Sequence, residues 1–265
     1  MRLIEANGIE IACEVTGRGP AVVLCHGGGA DHRMYDNLAP LLADRFTVVA
    51  YDQRDTGTSR NPASDYTAAD LGSDLRGLIG ALGFSRASVF GTSYGGMVAL
   101  QAAMNFPAIE NLIIAATWPG SPDGAFPLTP EAMALSQAAS TDPLKEVARN
   151  ALFFSTHTAE MRLEWALELF HRVSTARTQE QNARRAAAVR THDLAGRLGA
   201  ISARTLVLAG EDDRIIPVDF SRAMAREIPG AEIRLLHRVG HALTLEAPGE
   251  VADLIKQHCQ SKSAR

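Results

Sequence analysis

The chain has 265 residues, of which 46% are hydrophobic and 21% charged, a composition typical of a globular protein with a sizeable core. The formal net charge is −4 and no long basic run is present, so nucleic acid and anionic membrane surfaces are poor candidates as partners. Three scattered cysteines without a CxxC pair argue against a disulfide framework or a zinc site. No apolar run is long enough to span a bilayer or to resemble a signal peptide, and we expect a cytoplasmic protein.

Strand and helix patterns alternate through the first part of the chain. A hairpin is predicted around Asn7–Gly8, because this dipeptide favours a tight turn. Short apolar runs typical of buried strands lie at 21–25, 46–52, 87–91 and 109–117. Helices are predicted between them, at 34–44, 68–83 and 96–106. This alternation predicts a mostly parallel sheet with helices on both faces.

The alternation stops between Trp118 and about Ile201, where no strand pattern is found. About four helices are predicted there from capping signals, including a capping box at Thr178 with Gln181. Strand and helix patterns then resume, at 203–210, 219–228, 231–239 and 248–259. The sequence therefore predicts an α/β core of residues 1–117 and 202–265, interrupted by a helical cap over 118–201.

The stretch VFGTSYGGMVAL, residues 89–100, contains a candidate nucleophile. Gly91-Thr92-Ser93-Tyr94-Gly95 is a G-x-S-x-G pattern between a predicted buried strand and a predicted helix, the setting of a nucleophile elbow. The flanking glycines would let neighbouring backbone pass close to the turn. The pentapeptide alone is also compatible with a plain glycine-rich bend, so the rest of the chain must supply a base and an acid.

A serine hydroxyl is a weak nucleophile unless a base removes its proton. Of the eight histidines, His241 lies between the last predicted strand and the last helix. The glycine neighbours of His26 indicate another role, and we interpret the other six as structural or solvated. The stretch LVLAGEDDRIIP offers Glu211, Asp212 and Asp213 after a predicted strand. The resulting order of nucleophile, acid and histidine differs from that of chymotrypsin and subtilisin.

With these motifs the chain resembles the α/β-hydrolase fold family over nearly its whole length. The resemblance implies a mostly parallel eight-stranded sheet with helices on both faces and an inserted helical cap. The acid of that family often lies in a G-x-x-D-x-x-x-P pattern, which Gly210, Asp213 and Pro217 match. The resemblance thus selects Asp213 over Asp212 and implies a triad of Ser93, Asp213 and His241.

The stretch LCHGGGADH, residues 24–32, is similar to the loop in which that family carries a His-Gly pair. The resemblance implies that the backbone N–H groups of Gly28 and Tyr94 form the oxyanion hole, with Gly29 as a neighbour able to share this role. Fixed N–H dipoles there would stabilise the charge that develops on a carbonyl oxygen. We interpret Cys25, beside this loop, as a buried and unreactive thiol.

The stretch YDQRDTGTS, residues 51–59, resembles the D-x-R-G-x-G-x-S turn of the family. Asp55 stands where glycine is usual, and an Arg-Asp-Thr-Gly version resembles that of anthracycline methylesterases. We interpret Asp52 and Arg54 as structural and predict a left-handed backbone at Asp55. The basic pair Arg184–Arg185 is predicted to lie on a solvated helix face.

These motifs together predict a serine hydrolase that cleaves a small-molecule carboxylic ester or lactone through an acyl-enzyme on Ser93, without a metal or an organic cofactor. The helical cap and the motifs are similar to those of 3-oxoadipate enol-lactonases, small-molecule esterases and cofactor-free haloperoxidases. Carbon–carbon bond hydrolysis or perhydrolysis on the same triad remains an alternative, as does a non-catalytic ligand-binding receptor. An epoxide hydrolase or a dehalogenase is disfavoured, because both normally carry an aspartate at the position of Ser93.

Overall fold

A computed structural model of the chain describes residues 1–138 and 142–260. Eight strands form one sheet: β1 (Arg2–Ala6), β2 (Ile9–Gly17), β3 (Ala21–Cys25), β4 (Thr47–Tyr51), β5 (Ala87–Thr92), β6 (Ile109–Ala115), β7 (Arg204–Gly210) and β8 (Glu232–Leu236). Their spatial order is β1-β2-β4-β3-β5-β6-β7-β8. The first two strands pair antiparallel, and β3 to β8 are parallel. The predicted fold class, a mostly parallel eight-stranded sheet, is confirmed.

The hairpin between β1 and β2 turns at the predicted dipeptide. Asn7 and Gly8 both have positive φ, of 50° and 76°, as a tight two-residue hairpin requires. The turn sets the register in which Ala6 pairs with Ile9. This antiparallel pair forms one edge of the sheet.

Helices cover both faces of the sheet. The α-helices are α1 (Ala39–Leu42), α2 (Ala68–Ala81), α3 (Tyr94–Ala103), α4 (Pro130–Ala138), α5 (Pro143–Ala151), α6 (Thr156–Met161), α7 (Leu163–Val173), α8 (Gln179–Arg190), α9 (Val218–Glu227), α10 (Leu243–Glu246) and α11 (Pro248–Gln260). Alternate residues of β3 enter two separate cores: Val23 packs with α2 and α3, whereas Leu24 packs with α1 and α11. Among the described helices, none has the length and apolarity needed to cross a membrane.

The helix predicted over 34–44 is two short elements in the structure. A 3-10 helix covers His32–Tyr35, and α1 begins only at Ala39. A continuous helix would place Pro40 in its interior, where the ring clashes with the carbonyl four residues earlier. Proline is tolerated in a first turn, and in α1 Pro40 occupies that position.

In the described residues between β6 and β7 there are five helices, α4 to α8, where the sequence predicted about four. The amphipathic stretch around 158–173 forms two helices, because the backbone of Arg162 leaves the helical region with φ −146° and ψ 36°. We refer to the described residues of 118–201 as the insertion. Its identity as a separate cap remains our proposal.

Candidate active site

Ser93 occupies a strained turn between β5 and α3. Its φ is 54° and its ψ is −120°, in a region that side chains other than glycine rarely adopt. Its N–H donates to Ala115 O at 2.8 Å, and the hydroxyl of Thr117 donates to Ser93 O at 2.8 Å. A Cβ atom at Gly95 would lie 1.9 Å from Cys25 O, so only glycine fits there. The turn thus lies where the carboxyl ends of the parallel strands meet.

The structure brings Asp213 and His241 together, each from a loop after a different strand. His241 Nδ1 lies 2.9 Å from Asp213 Oδ2 and 3.1 Å from Oδ1, and both side chains are almost fully buried. Asp213 is itself fixed, since its Oδ1 accepts from the N–H groups of Ile215 and Ile216 at 2.9 Å each. With Nδ1 donating to the carboxylate, Nε2 of His241 is left as the acceptor nitrogen.

The other two acids of this stretch have different partners. Asp212 accepts from the backbone N–H of Thr156, and Glu211 contacts the exposed His237 at 2.9 Å. Glu246, which the sequence did not single out, lies behind the histidine loop and accepts from Gly240 N at 2.6 Å. Its position at the end of a four-residue helix gave no sequence signal of this role.

The loop after β3 packs directly on the serine turn. A Cβ atom at Gly28 would lie 3.6 Å from Tyr94 Cβ, and one at Gly27 would lie 3.9 Å from Ser93 Cβ. Among the described residues, neither the Gly28 nor the Tyr94 backbone N–H has an acceptor. Tyr94 N is the first N–H of α3, one of the donors that a helix leaves unsatisfied. The two predicted oxyanion donors are therefore adjacent and available.

Ser93, His241 and Gly28 border one cavity of about 830 Å³ between the sheet edge and the insertion. Its walls are mainly apolar, with side chains that include Phe126, Leu128, Val147, Phe153, Leu167, Phe170 and Ile215. Glu146 and Arg149 of α5 add charged groups to the lining. A second, smaller cavity of about 60 Å³ also borders Ser93 and His241. In the described part of the chain Ser93 Oγ makes no hydrogen bond to His241, a contact that in such sites often tightens only when substrate binds.

The loop after β4 has the structural role predicted for Asp52 and Arg54. Asp52 accepts from the Thr58 N–H at 2.9 Å and contacts His32 Nδ1 at 2.7 Å. Arg54 donates to both oxygens of the buried Asp74, at 2.6 and 2.9 Å. Asp55 has a φ of 54°, the left-handed backbone that the sequence predicted.

The prediction that Arg184–Arg185 faces solvent is wrong. Arg185 is 4% exposed and donates to Arg54 O at 2.9 Å. Arg184 donates two hydrogen bonds to the Asp55 carboxylate, at 2.7 and 2.8 Å. The loop after β4 offers carbonyl and carboxylate acceptors to α8. Hydrogen bonds to these acceptors offset the free energy that the guanidinium groups lose when they leave water. The α8 sequence alone does not reveal these partners, since they lie more than 120 residues away.

His26 and Cys25 are buried beneath the loop after β3, which carries the predicted oxyanion donor Gly28 and which we call the oxyanion loop. Burial, together with the nearby positive charge of Arg185, lowers the pKa of His26 to about 3. The neutral ring bonds Gly27 O through Nδ1 at 2.8 Å and accepts from Gln53 N through Nε2 at 3.2 Å. Burial raises the pKa of the Cys25 thiol to about 12, which agrees with an unreactive residue.

One group of potential metal ligands occurs in the described part of the chain: Asp31, His32 and Asp52. Arg33 donates to both oxygens of Asp31, and Asp52 is bonded to His32 and to Thr58 N. These protein partners account for the cluster as an ion-pair network that fixes the loop.

Comparisons with known proteins identify relatives of this chain. A family model described as alpha/beta hydrolase family matches residues 22–254. A putative carbamate hydrolase RutD of Variovorax paradoxus is 31% identical over 84% of this chain and 85% of its own length.

Among solved structures, Est816, described as an N-acyl homoserine lactone degrading enzyme, is 27% identical, with a TM-score of 0.82 over 96% of this chain and 99% of its own. The esterase EaEST of Exiguobacterium antarcticum is 26% identical, with a TM-score of 0.81 over 98% and 99%. The family match, the 31% identical relative and the structural similarity to these two proteins agree. The chain belongs to the alpha/beta hydrolase family.

Proposed function

We propose that this hydrolase cleaves a small carboxylic ester or lactone through an acyl-enzyme on Ser93. The observation that carries the proposal is geometric: the strained Ser93 and the Asp213-bonded His241 border the same cavity. A nucleophile, a base and a residue that orients the base are the three parts that a serine hydroxyl needs for attack.

In the first half-reaction His241 Nε2 takes the proton of Ser93 Oγ while the oxygen attacks the carbonyl carbon. The carbonyl oxygen becomes an oxyanion, for which the Gly28 and Tyr94 N–H groups are the donors. Asp213 holds the imidazole ring and stabilises its protonated form. Collapse of the tetrahedral intermediate breaks the bond to the alcohol oxygen, which takes the proton back from His241.

In the second half-reaction His241 takes a proton from water, and the resulting hydroxide attacks the acyl carbon. The Ser93 oxygen leaves and receives that proton, so serine and histidine return to their initial states. Each step uses side chains and backbone of this chain and one water molecule. A lactone follows the same route, with the alcohol and acid ends remaining in one product.

The cavity supports a small or medium-sized apolar substrate. Aromatic and aliphatic walls favour an apolar acyl or alcohol group, and a volume of about 830 Å³ lies within the usual range of ligand pockets. Two of the similar proteins are described as an esterase and a lactone-degrading enzyme. The relative described as a putative carbamate hydrolase is the reason to include a carbamate among the test substrates.

The test is steady-state kinetics on p-nitrophenyl esters of increasing chain length, several lactones, an aryl carbamate and a vinylogous diketone. We expect turnover of esters or lactones and a loss of at least about 1,000-fold in kcat for Ser93→Ala, because the nucleophile is gone. Ser136→Ala, a serine at the same cavity, is the matched control and should stay within a few-fold of wild type.

Three results would overturn the proposal. Retained ester turnover in Ser93→Ala would exclude Ser93 as the nucleophile. Turnover of the diketone with none of the esters, lactones or carbamate would assign carbon–carbon bond hydrolysis instead. A folded protein in which a fluorophosphonate probe does not label Ser93 would favour a ligand-binding role.

A further inference from the structure

The insertion holds the backbone of the oxyanion loop from outside. Three successive carbonyl oxygens of this loop accept hydrogen bonds from it: Gly28 O from Arg185 at 3.5 Å, Gly29 O from Thr175 N at 3.1 Å and Ala30 O from Arg177 at 2.9 Å. Because the carbonyl groups are engaged on the side of the insertion, the orientation of the intervening peptide groups is fixed. The Gly28 N–H belongs to the preceding peptide group, whose carbonyl oxygen, Gly27 O, accepts from Ala30 N at 3.3 Å and bonds His26 Nδ1 at 2.8 Å. The insertion therefore acts on this donor through the adjoining residues of the loop.

Arg185 also fixes the second donor. Its guanidinium carbon lies 4.1 Å from the centre of the Tyr94 ring, within the range of a cation–π contact. The Tyr94 hydroxyl is buried and has no hydrogen-bond partner in the described part of the chain. The ring is therefore positioned by packing, of which the stacked guanidinium is one side. Tyr94 supplies the other N–H aimed at the oxyanion.

The two guanidinium groups converge on one hydroxyl. Arg185 Nη1 lies 3.0 Å and Arg177 Nη2 lies 3.1 Å from Thr56 Oγ1. The carboxylates nearby are already paired, Asp55 with Arg184 and Asp74 with Arg54. Within residues 1–138 and 142–260, neither Arg177 nor Arg185 forms an ion pair with a carboxylate. Positive charge of this kind is normally compensated by an anion.

We propose that Arg177 and Arg185 are positioning residues for the oxyanion hole: they fix the loop carrying Gly28 and the ring of Tyr94, and they place uncompensated positive charge behind both donors. This inference rests on the proposed function. Negative charge that forms on the substrate oxygen in the transition state supplies the missing anion, so the stabilisation appears in that state and not in the ground state.

Neither arginine lines the two cavities that border Ser93. Their removal should consequently lower kcat and leave KM nearly unchanged, because substrate contacts are retained. A purely structural role would instead lower thermal stability without a selective effect on reactions that form an oxyanion. These two outcomes can be separated by probes that form a tetrahedral adduct on Ser93.

The experiment compares Arg185→Met, Arg185→Lys and Arg177→Met with the paired variant Asp55→Asn/Arg184→Met. The paired variant removes the neighbouring ion pair without changing net charge, and it touches none of the contacts to residues 28–30. Three measurements are made: the second-order rate of Ser93 labelling by a fluorophosphonate, steady-state kinetics (kcat and KM) on the best ester, and the affinity for phenylboronic acid.

We expect Arg185→Met to lower the labelling rate, kcat and boronic acid affinity by about 10- to 100-fold each, the size of effect that follows misplacement or loss of an oxyanion donor. KM should change less than about threefold, and Arg185→Lys should recover part of the loss, because the charge remains. The paired control should stay within about threefold of wild type in all three.

Wild-type labelling rate and boronic acid affinity in a folded Arg185→Met variant would overturn the inference. If that variant does not fold, the same result in Arg177→Met overturns it. Wild-type protein that is labelled but hydrolyses no ester or lactone would contradict the proposed substrate class, while the labelling rates would still test the arginines. If the wild-type protein is not labelled, Ser93 is not an active nucleophile, and this inference is overturned together with the proposed function.

Discussion

At Ser93 the backbone conformation costs of order 1–3 kcal/mol for a residue with a side chain, and it persists only where the surroundings determine it fully. The Ser93 N–H and C=O are both bonded, to Ala115 O and to the Thr117 hydroxyl. Gly95 allows α3 to begin against the carbonyl of Cys25. The strain is therefore offset by contacts that only small neighbours permit.

Gly95→Ala should test this close approach. The added methyl group would lie 1.9 Å from Cys25 O, so the backbone of β3 or α3 must shift, and we expect a loss of about 2–4 kcal/mol in the free energy of unfolding together with a loss of activity. Urea denaturation and ester kinetics measure both effects.

Gly80→Ala is the matched control for that substitution. Gly80 lies in α2 and is exposed, and a methyl group added to it would have no atom within 4 Å. Alanine is favoured over glycine in a helix, so the free energy of unfolding of this variant should rise by up to about 1 kcal/mol, and its activity should be unchanged. Equal losses in the two variants would contradict the steric explanation.

His26 gives a residue-level prediction for acid stability. Burial lowers the pKa of its imidazole to about 3 in the folded protein, against about 6.5 in the unfolded chain. As the pH falls below about 6.5 the unfolded state binds the proton first, so stability that is present above this pH is lost progressively towards pH 3. Between pH 7 and pH 5 this one group should lower the free energy of unfolding by about 2 kcal/mol.

His26→Gln should remove that part of the pH dependence. The variant keeps a neutral polar group, and the difference in unfolding free energy between pH 7 and pH 5 should shrink by about 2 kcal/mol relative to wild type. His192, whose pKa burial lowers to about 4, remains as an internal reference with the same sign. An unchanged difference between the two pH values would show that His26 is not buried neutral.

At the scale of elements, local sequence patterns were sufficient to predict helices and strands whose contacts are with solvent or with elements adjacent in the sequence. The Asn7–Gly8 turn signal predicted the hairpin of β1 and β2, and the helix predicted at 68–83 corresponds to α2. The break at Arg162 between α6 and α7 was missed, because the amphipathic pattern continues across it. The burial of Arg185 was missed because its acceptors lie on loops distant in sequence.

The ion pair between Asp55 and Arg184 couples α8 to the loop after β4, and a double-mutant cycle can measure it. The two side chains are 3% and 14% exposed and form two contacts, so we expect a coupling free energy of about 1–3 kcal/mol. Each single variant, Asp55→Asn and Arg184→Met, leaves a partly buried charge unpaired and should be destabilised. The double variant should lose less stability than the sum of the two single losses.

Chemical denaturation of the four proteins of the cycle supplies the measurement. Asn is well suited to replace Asp55, because it tolerates a φ of 54° better than most residues. A coupling below about 0.3 kcal/mol would show that the pair does not hold α8 to the core.

At the scale of the whole molecule, the candidate site joins segments from both sides of the insertion. Ser93 was predicted from its local pattern, whereas choosing Asp213 among three acids required the resemblance to a family. The site depends on the strand topology: parallel strands bring their carboxyl ends to one edge of the sheet, so Ser93 and His241, 148 positions apart in the sequence, border one cavity there. The roles of Thr117 and Glu246 depend on that assembled geometry and have no pattern of their own.

The stability of the insertion should differ strongly between its helices. None of the residues of α5 is buried, and Leu144 is 80% exposed, whereas α8 buries Arg185 and Ala188 against the core. We expect the amides of α5 to exchange with solvent through local opening of low free energy, and those of α8 to be protected nearly as well as the sheet. Hydrogen exchange followed by mass spectrometry measures both regions in one experiment.

The paired variant Asp55→Asn/Arg184→Met separates the two regions further. It should reduce protection in α8, which loses its ion pair to the core, and leave α5 unchanged, because no residue of α5 contacts that pair among the described residues. If α5 and α8 instead exchanged together in wild type and responded together in the variant, the insertion would open as one unit. Access to the cavity would then require release of the oxyanion loop, whereas independent opening of α5 admits substrate while Arg177 and Arg185 keep that loop in place.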